Sequence, residues 1–231
     1  MSTPRRRFLG LLGGASLLGV TGTPSVARAL IPPPPPSPDS NEHPQPVTET
    51  WDMSWTTKVS GKYKAVFDSP EMSDGAALFR AVAWCDQYKE VYGAERSDMS
   101  PVIVFRHTAI DLVMNDDYWR RFNIGKEAKV RDANGKKWAM ANPVSTRSAG
   151  TDAAATKYKL ESFLASGGIV LACGWAFRFA SAHYRKADKL DAPAALAAAK
   201  VDLIPGVILQ PNGIFAALRA QEAGCSYIMA S

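Results

Sequence analysis

Two short runs, PVIVF at Pro101–Phe105 and IVLAC at Ile169–Cys173, are apolar from end to end. A strand with one wet face alternates polar and apolar side chains, whereas a strand that is apolar throughout needs cover on both faces. KYKAVFDSP adds a strand with Tyr63, Ala65 and Phe67 on one face and Val66 on the other, and GVILQP and CSYIMA read as two more. Helical segments separate them. SDGAALFRAVAWCDQYKEVYG is capped by Ser73 or Asp74 and ends at Gly93. TAIDLVMNDDYWRRF reads as two pieces, with Asn115 and Asp116 at a helix end. TDAAATKYKLESFLASGG starts at Thr151 or Asp152, and GWAFRFASAHYRKA, DAPAALAAAKV and NGIFAALRAQEAG follow. This alternation predicts an α/β fold: a five-stranded parallel sheet with helices on both faces.

One segment breaks the pattern. In AKVRDANGKKWAMANP, alternating stretches flank Asn134-Gly135, which predicts an inserted β-hairpin with a two-residue turn. Trp138 in that hairpin either shields a site as a lid or pins the hairpin to the domain.

The first fifty residues lie outside this scheme. Arg5, Arg6 and Arg7 precede a short apolar stretch, Phe8 to Val20, which ends in small residues with ARA at Ala27–Ala29. RRRFL resembles the twin-arginine export signal. The expectation is a signal peptide over 1–29, a mature N-terminus at Leu30, and a periplasmic or otherwise exported product that engages the twin-arginine machinery. IPPPPPSPDSNEHPQPVTET makes 30–50 an extended proline-rich tether, because proline fixes φ and donates no hydrogen bond. Residues 51–231 form one domain. Arg5, Arg6, Arg7 and Arg28 supply four of the +5 formal charges, leaving +1, so the basic balance is no argument for nucleic acid.

Ligand sites in open parallel sheets lie beyond the carboxyl ends of the strands. Cys173 closes IVLAC directly before a helix, where the positive dipole end and unpaired N–H groups favour a thiolate. It suits a nucleophile or sulfur carrier, or equally a small apolar residue closing the core. His107 follows PVIVFR at the same edge and can take a proton from a thiol, bind a ligand, or sit satisfied by backbone. Arg106 is a candidate anion clamp or an edge salt bridge. Asn212-Gly213 caps the last helix and can offer N–H groups to an anion. Cys85, beside an apolar helical stripe, and Cys225, at a strand start, read as core. His43 falls in the tether, and His183 reads as solvated. No CxxC or zinc-ligand spacing, Walker A loop, GxGxxG, GxSxG or HExxH is present, so no cofactor and no metal is called for.

From about Lys62 to Ala230 the chain resembles the DsrE/DsrF-like family, which includes the YchN-like proteins. PVIVFRHTAIDLVMND, GGIVLACGWAF and GVILQPNGIFAALRAQEAGCSYI carry the likeness. The twin-arginine signal and Asn142-Pro143 resemble the exported branch. The resemblance implies a five-stranded parallel sheet and a homo-oligomer. In the family's sulfur-relay members a cysteine after the third strand receives and passes on persulfide sulfur, and Cys173 matches that position. Two functions are therefore expected: binding or relay of sulfane sulfur between a donor and an acceptor protein through Cys173, or a non-catalytic oligomeric module for a small ligand or protein, in which Cys173 is structural.

Overall fold

A computed structural model describes residues 50–145 and 153–231. The expected signal peptide, nearly all of the expected tether, and the cap expected at Thr151 or Asp152 lie outside these residues. After a 3-10 turn at Ser54–Lys58 the order is β1 (Tyr63–Ser69), a 3-10 turn at Ser73–Gly75, α1 (Ala76–Tyr92), a 3-10 turn at Arg96–Asp98, β2 (Met99–Phe105) and a 3-10 segment, His107–Val113. Next come α2 (Asp116–Phe122), α3 (Ile124–Glu127), α4 (Ala153–Thr156), α5 (Leu160–Ala165) and β3 (Ile169–Cys173). The chain continues through α6 (Gly174–Asp188), α7 (Ala192–Val201), β4 (Ile208–Gln210) and α8 (Gly213–Glu222) to β5 (Ser226–Met229). The strands form one five-stranded sheet in the order β4-β3-β2-β1-β5, and every pairing is parallel.

The apolar runs are covered on both faces, as their composition demands. Ala65, Phe67, Ile103, Phe105, Val170 and Ala172 point into one core, against Leu78 and Val82 of α1 and Phe177 of α6. Their neighbours Val66, Val102, Val104, Ile169 and Leu171 point into the other, against Ala216, Ala217 and Ala220 of α8 and Trp55. Topology explains why α8 stands apart from α1 and α6. The steps β1 to β2 to β3 to β4 all move one strand in the same direction, so right-handed crossovers put their helices on one face. From β4 the chain must return across the sheet to reach β5 beside β1, and α8 lies on the opposite face.

Several local expectations are corrected. The hairpin does not form as two strands. Arg131 and Trp138 make one isolated antiparallel bridge, flanked by Asp132 N–H to Lys137 O (2.9 Å) and Ala139 N–H to Val130 O (3.0 Å). The turn bond runs from Gly135 N–H to Asp132 O at 2.8 Å, so the turn centres on Ala133-Asn134 and not on Asn134-Gly135. The reason is Asp132, whose carboxylate accepts from the N–H groups of Lys136 (3.0 Å) and Lys137 (3.3 Å), an Asx-type arrangement that competes with the tight turn. The Arg131 guanidinium stacks 3.5 Å from the Trp138 ring centroid, so Trp138 pins this loop together.

Asn115 starts a helix and does not end one: its side chain accepts from Tyr118 N–H at 2.9 Å. The left-handed residue is Asn123 at the end of α2 (φ 55°). Ser73 and Asp74 form a 3-10 turn before α1, and its N-cap is Gly75 at φ 80°. The segment before β3 breaks into α4 and α5. Asn142 is fully buried, and its amide donates to Leu112 O and Met114 O at 2.7 Å each, bracing the end of the 3-10 segment. No helix among the described residues is long and apolar enough to cross a membrane.

Candidate functional site

The sheet register aligns the strand ends. Phe105 pairs with Ala172 and Cys173 with Gln210, so Arg106 and Pro211 emerge at one carboxyl edge. At this edge β3 feeds α6 on one face while the adjacent β4 feeds α8 on the other. A crevice opens wherever neighbouring parallel strands send their chains to opposite faces. A cleft of ≈ 190 Å³ occupies that point, and Cys173, His107, Arg106, Asn212 and Gly213 all line it. The five residues singled out from sequence, drawn from three separate stretches of chain, thus meet around one opening.

Cys173 is the N-cap of α6, and its Sγ accepts from Ala176 N–H at 3.4 Å. Only 5% of the residue is exposed. The thiol therefore sits at the floor of the cleft, where a sulfur anion would meet the positive end of the helix. Asn212 caps α8 by accepting from Phe215 N–H at 2.9 Å. His107 is exposed and adopts a left-handed backbone at φ 51°, an uncommon conformation for a residue with a side chain. That twist opens the 3-10 segment and brings the imidazole to the cleft wall.

Arg106 takes the salt-bridge option. Its Nε and one terminal nitrogen donate to the two carboxylate oxygens of Asp68, each at 2.8 Å. Tyr227 O–H donates to the same carboxylate at 2.7 Å. Asp68 is buried at the end of β1, and its hydrogen-bonded carboxylate raises the Arg106 pKa above its ordinary value.

In the remaining wall Trp175 belongs to the strand-end stretch Cys173–Trp175 that parallel topology points to, whereas Phe179 and Ile214 were not singled out from the sequence. Phe179, one turn beyond Trp175 on α6, and Ile214 at the start of α8 line the cleft beside Trp175, with 71%, 59% and 61% of their surfaces exposed for Phe179, Trp175 and Ile214. A signal did exist: Trp175 and Phe179 stand four apart and off the stripe formed by Ala176, Phe177, Ala180 and Tyr184, which packs on the sheet. His183 is half-buried, not solvated. It stacks on Phe122 with ring centroids 5.4 Å apart, in a second groove.

All three cysteines are free. Cys225, buried before β5 near the amino edge, has its thiol pushed up to about 11 by burial. Burial also raises the Cys85 thiol in α1. Trp138 does not line the cleft, so it is no lid for it. Among the described residues no group of His, Cys, Asp and Glu could hold a metal ion. No protein-family model, curated protein or solved structure matches the chain. Fold and site together define an open parallel α/β domain with a thiol at its strand-switch crevice.

Proposed function

We propose that this is an exported, DsrE-like protein that binds or relays sulfane sulfur through Cys173. The observation that carries the reading is the convergence of Cys173, His107 and the N-termini of α6 and α8 on one open cleft. A thiolate at the floor attacks a sulfane sulfur. The new Sγ–S bond forms as the next S–S bond breaks, and the electron pair leaves on the shortened donor. His107 accepts the thiol proton and returns it to a leaving sulfur. The helix ends favour the sulfur anion at each stage.

The test is exposure of the folded protein to an excess of sulfane-sulfur donor, an alkyl persulfide as well as inorganic polysulfide, followed by mass spectrometry of the Cys173 peptide. A gain of one sulfur at Cys173, absent from C173S and reversed by a reductant, is the expected result. Modification of Cys85 or Cys225 alone would remove the reading. A second reading has an observation of its own. The burial of Cys173 and the bond from Ala176 N–H to Sγ suit a structural cap, leaving the cleft as a binding pocket for a small ligand. Failure of Cys173 to react until the protein is denatured would favour it. Export is checked separately: replacing Arg5, Arg6 and Arg7 by Lys should leave the protein in the cytoplasm.

A further inference from the structure

The charge around the cleft decides what kind of donor it accepts. An inorganic sulfur anion such as polysulfide or thiosulfate needs a spare cation; His107 lines the cleft, but the charge it gains with the thiol proton is balanced by the Cys173 thiolate, which leaves Arg106 as the permanently cationic side chain there. Its guanidinium is already committed to both oxygens of Asp68, so the pair presents little net charge. What faces outward is apolar: Trp175, Phe179 and Ile214, each more than half exposed. The partial positive charge of the helix ends is confined to the floor, at Cys173 and Asn212.

The adjoining surface points the same way. A cleft of ≈ 190 Å³ is smaller than the roughly 300–1,000 Å³ that drug-sized ligands occupy. It does not end at its own wall, because His107 and Phe179 also line an adjoining groove of ≈ 800 Å³. Met72 and Ile110 line this groove as well, together with the polar side chains Asp111, Glu127, His183 and Lys186. A molecule whose sulfur reached Cys173 would pass its body along Phe179 and could set a polar head among those four groups.

We infer that the donor is a low-molecular-weight organic persulfide, R–S–SH, with an apolar segment next to its sulfur and a polar far end, and not an inorganic sulfur anion. The inference rests on the reading of Cys173 as the sulfur-accepting residue. In the step it describes, the Cys173 thiolate attacks the outer sulfur of R–S–SH. The Sγ–S bond forms, the S–S bond of the donor breaks, and R–S⁻ departs with the electron pair. The protein is left as Cys173–S–SH, and no external oxidant or reductant is needed.

Alkanethiosulfonates probe the cleft without a persulfide. The full chain is treated with methyl, pentyl, benzyl and sulfonatoethyl methanethiosulfonate, and the rate at Cys173 is measured by peptide mapping and divided by the rate in the denatured protein. The pentyl and benzyl reagents should outpace the sulfonatoethyl reagent by about tenfold or more, the factor that two buried methylenes supply. F179A and I214A, both at exposed positions, should cut that preference several-fold. Equal or faster reaction of the sulfonatoethyl reagent, or a preference untouched in both variants, would overturn the organic-donor inference alone. Failure of even the methyl reagent to reach Cys173 in the folded protein would overturn the sulfur reading and this inference with it.

Discussion

Gly213, the first residue of α8, lies against the Arg106 side chain: a Cβ at position 213 would stand 2.6 Å from both Cβ and Cδ of Arg106. The absence of a side chain there lets α8 begin where the end of β2 passes. Arg106 Cβ is fixed to the backbone and cannot swing aside, so G213A has to displace either α8 or the Arg106–Asp68 pair. The expected cost is about 1–3 kcal/mol, the usual range for overpacking. Urea unfolding measures it. A variant as stable as the parent would mean that α8 and β2 are less tightly apposed than described.

The Asp68 carboxylate carries two bonds from Arg106 and one from Tyr227. D68N removes the charge and leaves a largely covered guanidinium without its partner. Loss of one member of a fully buried pair costs about 3–5 kcal/mol, and the partial exposure of Arg106 lowers this to about 2–3 kcal/mol. Y227F loses a single hydrogen bond and should cost about 1 kcal/mol. Paired denaturation curves decide the matter: the ion pair is unimportant to the edge if D68N costs no more than Y227F.

Burial raises the Cys225 thiol from an ordinary value of 9.0 to about 11. Below pH 9 the thiol is protonated in both the folded and unfolded chain, and ionisation costs the fold nothing. Between about pH 9 and pH 11 the unfolded chain releases the proton while the folded chain keeps it, so stability falls as pH rises, by about 1.4 kcal/mol per pH unit. Over that window the loss is about 2–3 kcal/mol. C225A lacks it, although it forfeits some packing at neutral pH. Tyr118 and Tyr184, also raised by burial, add an alkaline loss of their own that is common to both proteins. The stability gap between wild type and C225A should therefore narrow from pH 8 to pH 11. A constant gap would mean that Cys225 is accessible to solvent.

The sheet was legible because its strands are short, apolar and separated by amphipathic helices, and strand-end residues then follow from parallel topology. That is why Cys173, His107, Arg106, Asn212 and Gly213 are placed at one edge by the sequence alone. The partner of Arg106 was another matter. Asp68 lies 38 residues away and Tyr227 lies 159 residues from Asp68, separations over which no local pattern operates. The hairpin failed for a local reason: Asn134-Gly135 is a strong turn signal, but the Asp132 carboxylate claims the N–H groups that a tight turn would leave to the backbone. The apolar wall beyond Trp175 was hidden by its exposure. Helical periodicity identifies the face that packs on the sheet, and Phe179 and Ile214 stand off it.

The three thiols should differ sharply in reactivity at neutral pH, with Cys173 first. It ends a strand buried on both faces, so its backbone is held in place. Its sulfur accepts an N–H at the start of a 15-residue helix and lines the open cleft. Cys225 at neutral pH is about four units below its titration point, so its thiolate fraction is about one in ten thousand. Cys85 is more open than either, but burial raises its thiol too. Iodoacetamide applied to the folded protein for a limited time, with peptide mapping, reads the order directly. Labelling of Cys173 ahead of both others is expected. H107A should slow iodoacetamide labelling of Cys173 as well as persulfide transfer through it, because in both the thiol proton goes to His107, and should leave labelling of Cys85 and Cys225 unchanged. Faster labelling of Cys85 than of Cys173 would show that exposure, and not the helix N-terminus, governs thiol chemistry in this fold.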